Sequence, residues 1–139
     1  MPNIHAINTA VYRLLADDTE LAGLCTAYKG RKRPANVHNP SLTVDIDRLK
    51  AGEGEGIWRC EVTVTVFVNV LANRMPDHET LDTVSSRIRE ILRDAVPELE
   101  DAKALPLAEG GSSSPDWSGN HDNEAREELT FMLTFVNFH

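Results

Sequence analysis

The chain is 139 residues long and acidic, with 14 Lys and Arg against 22 Asp and Glu and a formal net charge of -8. A chain of this length can bury enough apolar surface to fold as one domain, residues 1–139, without disulfides or a structural metal. The acidic balance argues against broad, sequence-independent binding of nucleic acid, which depends on neutralised phosphates. We therefore expect its partners to be proteins.

The N-terminal segment predicts an amphipathic helix. Asn3 suits the N-cap. Apolar residues recur at helical spacing at Ile4, Ile7, Val11, Leu14 and Leu15. Asp18 is placed to cap one further short helical turn. The segment lacks a basic region followed by a continuous apolar run, so we expect no signal peptide, and no run approaches the ~18 residues of a membrane span.

Residues 28–40 predict a long, exposed and flexible loop, because glycine, proline and asparagine recur through them. The loop carries a basic cluster in an otherwise acidic chain: Lys29, Arg31, Lys32 and Arg33. Two interpretations stay open, a solvated loop and a charged patch that faces an acidic partner subunit or DNA passing close by. Four charges can steer a partner, but they hardly support stable DNA binding at physiological salt.

Two strands joined by a hairpin follow. Residues 41–47 alternate apolar and polar side chains, and residues 57–71 give the strongest strand pattern in the chain. Between them, residues 50–56 (KAGEGEG) are too rich in glycine and charge to pair, so we expect a flexible hairpin tip. The long strand places Cys60 and its valines on one face, which must be buried, and Phe67 on the other.

The C-terminal half predicts a helix, a weak strand, a loop and a strong strand. Pro76 and Asp77 suit the start of the helix, and Pro97 is expected to end it. The helix stripe is Leu81, Val84, Ile88, Ile91, Leu92 and Ala95. Residues 103–108 form the weak strand, and residues 109–124 a flexible loop rich in Gly and Ser. Residues 127–138 alternate as the last strand.

These elements predict an α+β fold with an antiparallel sheet of about four strands and two helices packed on one face. The other face of the sheet carries Phe67 and Met132 among threonines, so it is half apolar rather than charged. Such a face is a candidate for contact with another subunit.

The polar residues do not converge on a pattern typical of catalysis. The chain has five histidines, but no pair has the i, i+4 spacing of a helical metal site. Asp45 and Asp47, with Asp77 and Glu79, offer oxygen ligands for a divalent cation, although the wet face of a strand explains the first two more simply. We therefore predict no enzyme activity, no cofactor and no metal site.

The remaining chemical motifs are also explained without catalysis. Cys25 and Cys60 lack CxxC spacing, and Cys60 belongs to the valine face, so both are expected to be reduced thiols in the cytosol. The glutamates of GEGEG would repel a phosphate, so this is not a phosphate-binding loop. The GNHDN segment has no neighbouring ligand set and receives little weight as a nuclease site.

Taken together, the segments LLADDTELAGL, NPSLTVDI, WRCEVTVTVFVNVLANR, PDHETLDTVSSRIREILRD and EELTFMLTFVNF resemble the tail completion, or tail terminator, proteins of long-tailed bacteriophages and prophages. The resemblance covers nearly the whole chain and is one of element order, with no invariant motif. Its most characteristic part is the long strand that leads into the second helix. The glycine- and serine-rich segment before the last strand departs from the family pattern.

The resemblance implies an α+β subunit that forms a ring, usually a hexamer, on the end of the tail tube. Such a ring stops tube polymerisation, offers a surface to the head-tail connector protein and leaves a channel for the passage of DNA. The implied location is the bacterial host cytoplasm during assembly and then the tail or neck of the virion. The basic loop, the hairpin tip and the loop with Trp117 become candidate docking elements, and Trp117 becomes an aromatic anchor.

Two alternatives from other classes stay open. A small ligand-binding or regulatory α+β domain of a bacterial protein predicts a monomer or dimer with a defined apolar pocket. An enzyme with a metal held by Asp45, Asp47 and a histidine is the weaker of the two.

Overall fold

A computed structural model describes residues 3–47, 49–52, 54, 56–100, 102–112 and 124–137. The elements, in chain order, are α1 (Ile4–Ala16), α2 (Thr19–Ala22), β1 (Thr26–Lys29), β2 (Ser41–Ile46), β3 (Lys50–Ala51), β4 (Ile57–Asn69), α3 (His78–Leu92), β5 (Ala102–Ala104), β6 (Ala108–Ser112) and β7 (Glu124–Asn137). No helix among these residues is long and apolar enough to cross a membrane.

Side-chain caps fix where the helices begin. The Asn3 carboxamide oxygen accepts a 2.7 Å hydrogen bond from the His5 amide at the start of α1, and Asp18 accepts one of 2.8 Å from the Leu21 amide at the start of α2. Asp77 caps α3 by accepting from the Thr80 amide at 3.3 Å. All three caps satisfy amides that a helix leaves without an internal partner, and they confirm the predicted helix starts.

The end of α3 differs from the prediction. The helix stops at Leu92, before the predicted end at Pro97, because Arg93 takes an extended conformation and Asp94 has a φ of 59°. The Asp94 amide donates to the Leu107 carbonyl at 3.3 Å, and the Leu107 amide donates to the Ala95 carbonyl at 2.8 Å. Pairing with a distant segment therefore ends the helix before proline is reached.

The sheet is larger than predicted and mixed. Within the described residues it has seven strands, in the order β1-β2-β4-β7-β5, with β3 beside β4 and β6 beside β7. The long strands β4 and β7 pair antiparallel from Ile57 opposite Val136 to Asn69 opposite Glu124. The predicted hairpin of β2 and β4 is confirmed. However, β1 runs parallel to β2, because residues 30–40 carry the chain back to the start of β2.

Besides β1, which takes the first two residues of the loop predicted over residues 28–40, three short strands lie where loops or a different strand were predicted. Within the hairpin tip, Lys50 pairs with Arg59 and forms part of β3. The weak strand predicted over residues 103–108 is split, since Ala102–Ala104 forms β5 and β6 begins at Ala108. Part of the predicted loop over residues 109–124 is β6, and β7 starts at Glu124, three positions before the predicted start. Residues 113–123 of that loop lie outside the described residues.

The helices and the inner face of the sheet form one apolar core, as predicted. From the helices it takes Ile7, Val11, Leu15, Leu21, Leu81, Val84, Ile88 and Leu92. From the long strands it takes Cys60, Val62, Val64, Val66, Val68, Leu129, Phe131, Leu133 and Phe135. Because α1 and α3 both pack on this face, the opposite face of the sheet, here called the outer face, is left to other contacts.

Candidate assembly surface

The four cations of the predicted basic cluster do not form one patch. Lys29 is in β1 and reaches toward the helices, where its Nζ donates to the Thr9 hydroxyl at 3.1 Å. Arg31 forms an ion pair with Asp45, and its side chain is 80% exposed, so the pair adds little to stability. Lys32 is exposed. These four residues are close in sequence, but Lys29 lies on the inner face of the sheet with α1, whereas Arg31 contacts Asp45 on the outer face.

Arg33 is the best-connected residue of the loop formed by residues 30–40, here called the crossover loop. Its guanidinium makes a bidentate pair with Glu124, with Nη2 at 2.6 Å from Oε1 and Nη1 at 2.8 Å from Oε2. It also donates to the Ser41 hydroxyl at 3.1 Å and lies 3.4 Å from the centroid of the Phe67 ring. A planar guanidinium can make both contacts at once, with bidentate hydrogen bonds from its edge and a cation–π contact through its face.

This network corrects the prediction that Phe67 and the whole crossover loop are exposed. Phe67 does lie on the outer face, but only 8% of it is exposed, because Arg33 covers its ring. Ser41 and Thr43 of the same face are buried as well. The crossover loop therefore covers the part of the outer face near Phe67. No local sequence signal reveals this, because Arg33 and Glu124 are 91 positions apart.

The charge state of Glu124 follows from the same contacts. Burial acts to raise the pKa of this carboxyl, but hydrogen bonds from Arg33 and Asn39 outweigh it and hold the pKa below its usual value. The Asn39 amide donates to Glu124 Oε2 at 2.8 Å and to Asn69 Oδ1 at 3.2 Å. Glu124 thus stays ionised at neutral pH and anchors the first residue of β7 to the crossover loop.

The cysteines have the environment of apolar side chains. Desolvation raises the pKa of Cys25 to about 11 and that of Cys60 to about 12, so both remain thiols at neutral pH. Within the part of the chain that the structure describes, no cluster of three or more His, Cys, Asp or Glu side chains has the arrangement of a metal site.

The rest of the outer face is open and partly apolar. Met132 is 38% exposed and Val136 is 37% exposed, both on β7, and Leu105 just after β5 is 44% exposed. Met132, a predicted contact residue, is thus accessible on this face, whereas Trp117 lies outside the described residues. An exposed cluster of large apolar side chains of this kind is typical of an interaction surface.

A groove of about 1140 Å³ lies on the helical side of the molecule. It runs between α1 and residues 96–100, and its walls combine Val96 and Leu99 with Asp17, Glu98 and Glu100. The groove is open and bordered by charge, unlike the defined apolar pocket that a small-molecule domain would require.

Comparison with known proteins gives a likeness at the level of the fold. No protein-family model matches the sequence, and no curated protein matches it. Among solved structures, the chain is similar to one from "Virion of native gene transfer agent (GTA) particle". The TM-score is 0.77 and the identity is 16%, over 96% of this chain and 96% of the other. The two chains share a fold. At this identity the likeness covers the arrangement of the elements and does not extend to individual residues.

Proposed function

We propose that this chain is a non-catalytic structural subunit of a bacteriophage or prophage virion. The observation that carries the proposal is the likeness of fold, at a TM-score of 0.77, to a chain of a gene transfer agent virion. The match covers 96% of both chains, so the shared fold accounts for nearly the whole of each. The open apolar side chains of the outer face support the same proposal, because virion subunits work through contacts with their neighbours.

Within the virion, we propose the role of a tail terminator. The subunit assembles in the host cytoplasm into a closed ring, a hexamer in this proposal, on the end of the tail tube. There it ends polymerisation and meets the head-tail connector, while DNA passes through without stable binding. The support is the order of sequence segments, from the N-terminal helix through the long strand to the last strand. A closed ring of this kind repeats one heterologous contact around an axis.

The structure changes which residues we propose for the contacts. Lys32, Met132 and Trp117 are proposed to meet other subunits directly. Arg33 and Phe67 are proposed to act through the crossover loop, which they hold against the sheet. Arg31 and Lys29 already contact Asp45 and Thr9 within the subunit, so their proposed role is to shape the loop and the edge strand.

Deletion of the gene tests this function. In a host that produces the particle, we expect tails of uncontrolled length and heads without tails, seen by electron microscopy. A plasmid copy of the wild-type gene should restore tailed particles of uniform length. Normal particles after deletion would contradict any structural role, and a complete lack of tail tubes would contradict the terminator role while leaving a structural one.

A small-molecule domain is the less favoured function. It requires a defined apolar pocket, whereas the groove beside α1 is open and carries Asp17, Glu98 and Glu100 on its walls. Such a surface fits a protein partner better than a small apolar ligand.

A further inference from the structure

One end of the outer face combines exposed cations with exposed apolar side chains. Strand register places Lys50 opposite Arg59, Arg59 opposite Thr134, and Lys103 opposite Val136. Three cations from three strands therefore lie in two neighbouring rows. We call this surface the basic sheet patch, and its members are Lys50, Arg59, Lys103, Leu105, Met132 and Val136. Its positive charge stands out in a chain with a formal net charge of -8.

The groove between α1 and residues 96–100 has the opposite character. Asp17, Glu98 and Glu100 are exposed along it, and Val96, 51% exposed, and Leu99 supply apolar surface. We call it the acidic groove. Because α1 packs on the inner face of the sheet, the acidic groove and the basic sheet patch lie on opposite faces of the sheet, and they come nearest at β5, where Glu100 is three positions before Lys103.

We propose that the basic sheet patch of one copy docks into the acidic groove of the next copy. The two surfaces carry opposite charge, and each has apolar side chains for the centre of a contact. Each surface also has one charge of the opposite sign, Glu61 opposite Met132 beside the patch and Arg13 in the groove lining. This inference rests on the proposed ring function and names the surfaces that would build the ring.

The placement of the two surfaces determines the type of assembly. The patch and the groove are different surfaces on opposite faces of the sheet, so the contact between the patch of one copy and the groove of the next is heterologous. They produce a head-to-tail series of identical contacts, which closes into a ring when the rotation per subunit divides a full turn.

Charge reversal on each surface tests the proposal. One variant carries Arg59→Glu and Lys103→Glu, and the other carries Glu98→Lys and Glu100→Lys. Each alone should self-associate at least about tenfold more weakly than the wild type, because like charges then face each other. An equimolar mixture should regain assembly in alternating order, and so should a chain with all four substitutions. Sedimentation velocity and native mass spectrometry would measure the assemblies.

A charge-matched control separates docking from net charge. Glu79→Lys with Asp82→Lys makes the same change of charge as the groove variant, on exposed positions of α3 that lie outside the groove. This variant should assemble like the wild type. All substituted positions are exposed, so thermal unfolding should show that each variant keeps its fold.

Zero-length carbodiimide crosslinking gives a second readout. In a mixture of ¹⁴N- and ¹⁵N-labelled wild-type protein, crosslinks from Lys50 or Lys103 to Glu98 or Glu100 should join differently labelled chains. If both charge-reversal variants assemble like the wild type and these crosslinks are absent, the proposed docking is overturned. A tail defect after gene deletion would still support the terminator role in that case. A wild-type chain that stays monomeric at the highest attainable concentration would also overturn the proposed docking. Restored assembly with normal tails after deletion would support the docking and reject the terminator role.

Discussion

Arg33 shows how one side chain determines which part of a sheet face is available. Its guanidinium is bound by Glu124, and its plane covers Phe67, so an aromatic ring that would otherwise be exposed becomes part of the fold. The side chains of Arg33 and Glu124 are only 16% and 10% exposed. Breaking a pair this sheltered costs more stability than breaking a surface ion pair, because the loss of one partner leaves the other charge buried without compensation.

We expect Arg33→Met to destabilise the protein by about 2 kcal/mol, the cost of removing hydrogen bonds to a charged partner. Urea unfolding would measure the free energy. Lys32→Met is the matched control at an exposed neighbouring position and should change stability by less than about 0.5 kcal/mol. In a double-mutant cycle with Glu124→Gln, the two changes should be strongly non-additive. Equal effects of Arg33→Met and Lys32→Met would show that the network does not hold the loop.

The lowered pKa of Glu124 predicts a specific dependence of stability on pH. Below its ordinary value of 4.5, the unfolded state takes up a proton at Glu124 before the folded state does. The stabilisation by the ionised carboxylate is therefore fully present above pH 4.5 and is lost as the pH falls through the folded pKa. The stability difference between the wild type and Glu124→Gln should be constant near neutrality and shrink in acid. A difference that does not change between pH 7 and pH 3 would contradict this ionic role.

At the level of elements, β6 depends on one glycine. A Cβ atom on Gly110 would lie 2.7 Å from the Thr130 hydroxyl oxygen and 3.0 Å from the Thr130 carbonyl oxygen. These atoms belong to the neighbouring strand β7, and Thr130 also accepts a hydrogen bond from the Gly111 amide at 2.9 Å. The glycine thus allows the backbones to approach closely at an irregular point of the pairing.

We expect Gly110→Ala to destabilise the protein by about 1–3 kcal/mol, because the methyl group must displace the Thr130 hydroxyl and crowd the Thr130 carbonyl oxygen. Gly111→Ala is the matched control, since a Cβ there meets no atom within 4 Å. Urea unfolding would compare the two, and hydrogen exchange should show faster exchange of the β6 amides in Gly110→Ala. Equal stability of the two variants would mean that β6 does not pair as described.

The elements that could be predicted from sequence are those with their own periodicity. The stripes of α1 and α3 and the alternation of β2, β4 and β7 depend on local residue order, which a single sequence contains. The strands β1, β3, β5 and β6 have two to five residues each, too few for a clear alternation, and they are defined by pairing with another strand, which local residue order does not contain. Phe67 was misjudged for the same reason, because its cover comes from the contact of Arg33 with Glu124.

At the scale of the whole molecule, the two faces of the sheet differ in what covers them. The inner face is covered by α1 and α3, and the acidic groove lies between α1 and residues 96–100. The outer face is divided between the part under the crossover loop and the open end with Met132 and Val136. A subunit with a basic, partly apolar surface on one side and an acidic one on the other is suited to a repeated head-to-tail contact.

The location of the chain in the particle is the most direct test of the proposed role. We would label a tagged copy of the protein with gold in particles from its host and image them by electron microscopy. We predict one cluster of label per particle, at the junction of tail and head. Label along the whole tail, on the head shell, or absent from purified particles would contradict a tail terminator.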